Sequence, residues 1–274
     1  MTVILALASS GLLFALAVFA VMFGRAPMAR LVVYGACLAI TVVAFAVSAS
    51  DDLDGGALAP TRGIDVFDTS ALAPLAAAND EARLAATRLG ADASTVLLGP
   101  QATEEAVKRA PLEEYDVLHF AVHGLVSSKV PSRSALLLRP GGDEDGLLQA
   151  GEILALRLRA GLVTLSACDS GAGAVHGQDG VASLVRPFLA AGAHSVVANL
   201  WIADDQISLT LMRTFYTRLA NGLTVAEALR DAKLALLDRF GSQAVPRLWS
   251  GLLVYGDGSR RLLTTRAATN EAQP

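Results

Sequence analysis

Two long apolar runs open the chain, and neither contains a charged residue. The first extends from Met1 to Gly24 and the second from Leu31 to Ser50. Each run reaches the roughly 20 residues that a helix needs to span a bilayer. The short segment between them contains two arginines and Pro27, which breaks a helix. This pattern predicts a hairpin of two transmembrane helices over residues 1–50, and hence a multi-pass membrane protein in contact with a lipid bilayer.

A cleaved signal peptide is the alternative interpretation of the first apolar run. Signal peptides carry a basic segment before their apolar core, whereas no Lys or Arg occurs before Arg25 in this chain. A second apolar run follows the first almost at once, and a signal peptide would not account for it. We therefore prefer the membrane hairpin.

The rest of the chain alternates between β-like apolar runs and helical patterns. We predict an acidic, Gly-rich linker over residues 51–62, a folded domain over residues 63–258 and a flexible tail over residues 259–274. The patterns predict strands at Ile64–Phe67, Thr95–Leu98, Val117–Val122, Leu136–Leu138, Leu162–Ser166, Ser195–Trp201 and Leu252–Tyr255. They predict helices at Leu72–Leu89, Thr103–Arg109, Ala150–Leu156, Gly180–Ala191, Ile207–Ala220 and Thr224–Phe240. Such alternation favours an α/β fold with a mostly parallel sheet and helices on both faces.

Composition narrows the range of functions. The net charge is -4 and Lys and Arg are not clustered, so nucleic acid is not an expected partner. The chain has two cysteines, Cys37 in an apolar run and Cys168 in a polar context, which does not indicate a disulfide framework. A cysteine with histidines elsewhere in the chain is instead typical of nucleophilic catalysis, for which no cofactor is expected.

Two predicted strands end in reactive side chains. One apolar strand ends at Val122 and is followed by His123 and Gly124, and another ends at Ala167 and is followed by Cys168. Ligands of an open parallel sheet bind at the carboxyl ends of its strands. If these strands are neighbours, His123 lies beside Cys168 and accepts its proton, which leaves a nucleophilic thiolate. The backbone N–H groups of Gly124 and Cys168 are then candidates for the oxyanion contacts.

Five segments, in order along the chain, carry a resemblance to a known family. They are Leu118–Gly124, Leu165–Gly171, Gly180–Ala193, Asn199–Asp205 and Trp249–Asp257. Together they resemble the CHAT domain family of the caspase-like clan of cysteine peptidases, over roughly residues 64–257. The resemblance implies a caspase-like fold that hydrolyses peptide bonds in a protein or peptide substrate, with His123 as general base and Cys168 as nucleophile. The family usually has more sequence before residue 64, where this chain has the two apolar runs.

Other polar residues near these strand ends have competing interpretations. We expect His119 to be a hydrogen-bonded core histidine rather than a catalytic residue. A zinc site made of His119, His123 and Cys168 is a further alternative, which we disfavour because metal ligands are usually closely spaced and joined by carboxylates. Asp204 and Asp205 form either a specificity pocket for a basic substrate residue or a cap for the next helix, and we prefer the cap.

Two functions from different classes remain open. The first is a membrane-anchored cysteine endopeptidase that uses a dyad of His123 and Cys168. The second is a catalytically inert caspase-like module that binds a regulatory protein partner or transmits a signal at a membrane. The presence of both dyad residues favours the enzyme. The loop arginines would place the domain outside the cytoplasm, whereas the resemblance and a reduced thiol favour the cytoplasm, which we slightly prefer.

Overall fold

A parallel sheet organises the part of the chain that the computed structural model describes, residues 42–46, 72, 75–127, 130–166, 178–201 and 205–262. The described strands are β1 (Val42–Ala46), β2 (Ser94–Leu98), β3 (Val117–Ala121), β4 (His123–Leu125), β5 (Ala135–Leu137), β6 (Leu147–Gln149), β7 (Leu162–Leu165), β8 (Ser195–Asn199) and β9 (Leu252–Gly256). The described helices are α1 (Ala78–Leu89), α2 (Glu104–Arg109), α3 (Ala150–Ile153), α4 (Gln178–Ala190), α5 (Asp205–Ala220), α6 (Val225–Phe240) and α7 (Pro246–Trp249).

Six of these strands form one sheet in the order β2–β1–β3–β7–β8–β9. The neighbouring strands are parallel except for β8 and β9, which run antiparallel. Strands β4, β5 and β6 form a smaller antiparallel sheet beside it. The prediction of a mostly parallel sheet is therefore confirmed.

Apolar side chains cover the large sheet on both faces because successive residues of a strand point in opposite directions. On one face, Phe120 of β3 lies 5.5 Å from the ring of Phe188 in α4, in a cluster that also includes residues of α2 and α3. On the other face, Val117 belongs to a cluster with Phe215 of α5 and Leu229 of α6, together with residues of α1. Helices on both faces are therefore also confirmed.

Strand β1 corrects the prediction of a second transmembrane helix over residues 31–50. Val42–Ala46 lies between β2 and β3 and pairs with both of them. Its five residues are buried, and the Phe45 ring stacks on Phe120 with ring centroids 5.1 Å apart. A strand that is covered on both faces consists of consecutive apolar residues, and so does a membrane-spanning helix. The apolar character of Val42–Ala46 therefore reflects burial in protein.

The predicted membrane hairpin is wrong. Within the described ranges, no helix is both long enough and apolar enough to cross a bilayer. The multi-pass location and the expected contact with lipid lose their basis with it. The first apolar run, the predicted linker at residues 51–62, the predicted strand Ile64–Phe67 and residues 263–274 of the predicted tail lie outside the described residues.

The start and the buried face of helix α6 follow from its local sequence. Thr224 Oγ1 accepts a hydrogen bond from the Glu227 backbone N–H, and a Glu227 carboxylate oxygen accepts one from the Thr224 N–H. This capping box satisfies two N–H groups that would otherwise lack a partner at the start of the helix. The predicted apolar stripe is buried, as expected, at Val225, Ala228, Leu229, Ala232 and Leu236.

Lys108 of α2 connects three segments beside the small sheet. Its Nζ atom lies 2.7 Å from a Glu104 oxygen, 2.6 Å from a Glu144 oxygen and 2.7 Å from a Glu152 oxygen. Burial raises the pKa of Glu104, which also accepts a hydrogen bond from the Gly146 N–H at 2.8 Å. Burial alone would lower the pKa of Lys108, but its hydrogen bonds to the three carboxylates outweigh that effect and raise it. Lys108 is therefore charged and holds α2 against α3 and the β5–β6 turn.

We expect Phe45→Ala to lower the free energy of unfolding by about 3–5 kcal/mol, because it removes a fully buried ring from the centre of the sheet. Urea denaturation followed by circular dichroism measures the change. Phe240→Ala, at the half-buried end of α6, is the matched control and should cost less. An unchanged stability of the Phe45→Ala variant would contradict the position of β1 in the core.

We expect Lys108→Met to lower the free energy of unfolding by about 2–3 kcal/mol at pH 7, because three carboxylates lose their shared cation. Burial already raises the pKa of the Glu104 carboxyl, and loss of the ammonium would raise it further in the folded state. The deficit should therefore shrink as the pH falls and Glu104 takes up a proton. Lys233→Met is the control, since no salt bridge joins Lys233 to a described residue. A deficit that does not change with pH would contradict this account.

Candidate active site

His123 stands at the junction of the two sheets. Strand β3 ends at Ala121, and His123 begins β4, where it pairs with Leu137 of β5. The side chain of His123 is half-buried. A histidine just past the carboxyl end of a central parallel strand occupies the edge where ligands of such sheets bind.

Strand β7 runs parallel beside β3, as the predicted dyad requires. The register pairs His119 with Thr164 and Phe120 with Leu165, and the Ser166 N–H donates to the Phe120 carbonyl at 2.9 Å. Each of the four paired residues of β3 is thus opposite the residue of β7 that lies 45 positions later. Strand β8 continues the sheet on the far side of β7 with a parallel register of its own.

Several predicted site residues fall outside the described part of the chain. Cys168 lies within residues 167–177, and Asp204 lies within residues 202–204. Asp205 is the first residue of α5, but its side chain is not described. Of the predicted site, the structure therefore places His123, Gly124 and the backbone position of Asp205.

The backbone of Gly124 is oriented by the ladder of the small sheet. The Leu138 N–H donates to the Gly146 carbonyl at 2.8 Å, so this position of the β5 segment bonds towards β6. Bonding directions alternate along an antiparallel strand, so Leu136 also bonds towards β6 rather than β4. Gly124 lies opposite Leu136, and its N–H therefore points away from β5.

A hydrogen-bonded group of buried polar side chains lies between β3, β7 and the helices on one face of the sheet. Tyr216 of α5 donates its hydroxyl to Thr164 Oγ1 at 2.9 Å, and the same hydroxyl is 2.7 Å from His119 Nδ1. His119, Thr164 and Tyr216 are completely buried, and Glu81 of α1 is 3% exposed. His119 is therefore a hydrogen-bonded core histidine, and its Nδ1 atom is already engaged.

Burial determines the protonation states of His119 and Tyr216. Burial lowers the pKa of His119 to about 3 and raises the pKa of Tyr216, so both groups are neutral at pH 7. The Tyr216 hydroxyl donates to Thr164, and the same oxygen lies 2.7 Å from His119 Nδ1. On the other side of the neutral imidazole, His119 Nε2 lies 3.3 Å from Glu81 Oε1. The short separation of these two atoms is consequently not an ion pair at neutral pH.

Trp201 follows β8 and lines a pocket at the same end of the sheet. Its Nε1–H donates to the Arg247 carbonyl at 2.8 Å, and its ring packs against Gly251. A methyl group at Gly251 would lie 2.7 Å from Trp201 Cε2, so only glycine fits there. The apolar part of the pocket lining comes from Trp201, Leu211, Met212, Leu248, Trp249 and Leu252.

Sequence reasoning missed the partners of His119. Thr164 and Tyr216 stand in apolar patterns of a strand and a helix, where their hydroxyl groups look incidental. The usable signal was that a buried tyrosine hydroxyl needs a hydrogen-bond partner. Nothing local in the sequence named that partner, because the three residues are up to 97 positions apart.

We expect Gly251→Ala to displace the Trp201 ring and to destabilise the fold by about 1–3 kcal/mol through overpacking. Tryptophan fluorescence reports the displacement, because the chain has two tryptophans and both line this pocket. Gly151→Ala in α3 is the control, since its added methyl meets no described atom closer than 3.9 Å. An unaltered emission spectrum for Gly251→Ala would contradict the packing of Trp201.

Comparison with known proteins assigns the chain to a class. The family model described as the CHAT domain matches residues 9–257. The chain therefore belongs to the CHAT domain family, as its motifs predict. The match begins inside the first apolar run, so it includes sequence that lies before residue 64.

The chain is also similar to individual proteins. It is 30% identical over 229 residues to tetratricopeptide repeat protein 28 of Mus musculus, a match that covers 70% of this chain and 9% of that protein. It resembles the Arg-specific cysteine proteinase gingipain R of Porphyromonas gingivalis (TM-score 0.49, 11% identity, 82% of this chain and 47% of that chain). It also resembles separase in the Saccharomyces cerevisiae separase–securin complex (TM-score 0.45, 14% identity, 80% of this chain and 12% of that chain). Because both TM-scores lie below 0.5, family membership rests on the sequence match.

Proposed function

We propose that this CHAT domain is a cysteine endopeptidase in which His123 is the general base and Cys168 the nucleophile. The observation that carries the proposal is the register of β3 and β7. These strands are adjacent and parallel, and their opposed residues differ by 45 positions, as His123 and Cys168 do. Neighbouring strands lie about 4.8 Å apart, and β3 and β7 end at the same edge of the sheet, so the segments that follow them, with His123 and Cys168, start close together.

The proposed reaction follows from the chemistry of the pair. His123 accepts the proton of the Cys168 thiol, and the thiolate attacks the carbonyl carbon of a peptide bond. The new C–S bond leaves a negative charge on the carbonyl oxygen. As this intermediate collapses, the C–N bond breaks and the His123 imidazolium donates its proton to the leaving amine. Water, deprotonated by His123, then hydrolyses the thioester and restores the thiol.

The charge on the carbonyl oxygen requires hydrogen-bond donors, for which we propose the N–H groups of Gly124 and Cys168. Support for Gly124 comes from its place next to His123 and from the ladder alternation, which turns its N–H away from β5. A glycine here also lets the backbone approach a substrate closely, since no side chain intervenes.

We propose Asp204 and Asp205 as candidates for a specificity pocket that would favour a basic residue of a protein or peptide substrate. They follow β8, the strand next to β7, at the same end of the sheet. Helix α5 begins at Asp205, so helix capping remains the preferred interpretation of this pair.

A binding role without catalysis is the second candidate function. The observation that favours it is the match to tetratricopeptide repeat protein 28, a protein named for repeats, of which this chain spans 9%. In that case the domain would bind a regulatory protein partner, and Cys168 would have no activated thiolate. The state of the Cys168 thiol therefore separates the two functions.

We expect the Cys168 thiol to react with iodoacetamide below pH 7, because an adjacent imidazole lowers a thiol pKa from its ordinary value of about 8.5. The experiment uses a Cys37→Ala background, which leaves Cys168 as the single thiol of the chain. His123→Ala should raise the pH midpoint of alkylation towards about 8.5. Cleavage of a fluorogenic peptide library should be abolished by either Cys168→Ala or His123→Ala.

The matched control for the alkylation is His194→Ala, which removes an exposed imidazole from the loop before β8. It should leave both the alkylation profile and any cleavage unchanged. An ordinary thiol midpoint that does not respond to His123→Ala would reject the dyad and leave the binding module. Cleavage that persists in the Cys168→Ala variant would reject the mechanism.

A further inference from the structure

His119, Tyr216 and Thr164 form a buried hydrogen-bonded group, and two of its members stand shortly before the residues of the proposed dyad in the sequence. His119 and Thr164 are register partners on β3 and β7. His119 stands four positions before His123, and Thr164 stands four positions before Cys168. The hydrogen-bonded group thus bridges β3 and β7 shortly before the carboxyl ends of these strands, and His123 and Cys168 follow those ends in the sequence.

These polar groups interrupt an otherwise apolar core. On the same face of the sheet lie Val117 of β3, Leu162 of β7 and Phe215 of α5, all of them buried. Burying a hydroxyl or an imidazole costs free energy unless a hydrogen bond replaces its contact with water. Valine or phenylalanine would fill the positions of Thr164 and Tyr216 without that requirement. Hydrogen bonds, unlike apolar contacts, prescribe distance and direction, so this group specifies how its elements are placed.

The Tyr216 hydroxyl is the centre of the group. The Tyr216 hydroxyl donates to Thr164 of β7, and the same oxygen is hydrogen-bonded to His119 Nδ1 of β3. Since Tyr216 belongs to α5, one oxygen atom links both strands to that helix. Helix α5 begins at Asp205, directly after the segment that follows β8, and it also lines the Trp201 pocket.

We propose that Tyr216 is a positioning residue for the cysteine peptidase site, acting through His119 and Thr164 on β3 and β7, the strands that His123 and Cys168 follow in the sequence. The inference rests on the proposed function. Proton transfer within the dyad requires heavy atoms about 2.6–3.2 Å apart. A displacement of about 1 Å at a reacting centre costs about 100-fold in rate, so a fixed relation of β3 to β7 and α5 bears directly on catalysis.

Tyr216→Phe tests the proposal, because it removes the hydroxyl and keeps the buried ring. In the Cys37→Ala background, we expect alkylation of Cys168 by iodoacetamide at pH 6.5 to slow by at least about 10-fold, given the cost of misplacement. The pH midpoint should move towards the ordinary thiol value of about 8.5. Peptide cleavage should lose kcat by a similar factor with little change in KM.

Ser195→Ala is the matched control, because it also removes a fully buried hydroxyl, which donates to the Gly161 carbonyl at 2.6 Å. Ser195 begins β8, at the end of the sheet opposite the proposed site. We expect this variant to lose stability without a change in the alkylation profile. Should Tyr216→Phe fail to fold, Thr164→Val supplies the same test, and Thr164→Ser, which retains the hydroxyl, should keep most of the wild-type rate.

The outcomes separate this inference from the proposed function. If the wild-type midpoint does not depend on His123, the dyad itself is absent and the inference is overturned with it. If the midpoint depends on His123 but folded Tyr216→Phe or Thr164→Val proteins keep the wild-type profile, the positioning role alone is overturned. An equal slowing in Ser195→Ala would show that any loss of stability slows the thiol, which also overturns the proposal.

Discussion

The parallel pairing of β3 with β7 is the constraint on which the described structure and its proposed chemistry depend. It joins two apolar strands at the centre of the sheet, and the register fixes which residues stand opposite each other. Side-chain direction alternates at every residue, so a slip by one position would move each side chain to the opposite face. The hydroxyl of Tyr216 reinforces this register, because His119 and Thr164 reach it together only when they are opposed.

The described core combines two kinds of stabilisation that serve different purposes. Apolar clusters on both faces of the sheet supply most of the favourable free energy of burial but prescribe little about fine position. The polar groups around Tyr216 and around Lys108 constrain the distances and angles between their elements, but removing them from water costs free energy. The first aligns the strands that lead to the proposed site, and the second secures α2 and α3 beside the small sheet that contains His123 and Gly124.

The apolar run at residues 31–50 shows why composition alone misleads. A strand at the centre of a parallel sheet is shielded from water by helices on both faces, so each of its positions is apolar. A helix in lipid is shielded in the same way and has the same composition. Length favoured the helix, yet Val42–Ala46 uses only five residues of the run. The distinction between the two environments lies in strand partners distant in sequence, which no window of that segment contains.

The sequence by itself determined the α/β class, the capped helix α6, the motifs around His123 and Cys168 and membership of the CHAT family, since these depend on local periodicity, caps and short motifs. Its predictions for the strands at β2, β3, β7 and β9 agreed with the structure to within a residue or two. Only the tertiary structure decided that β1 is a central strand, that β3 and β7 are neighbours, and that Tyr216 joins His119 to Thr164. Each of these depends on pairing between residues tens of positions apart, where burial and hydrogen-bond geometry rather than local propensity select the partner.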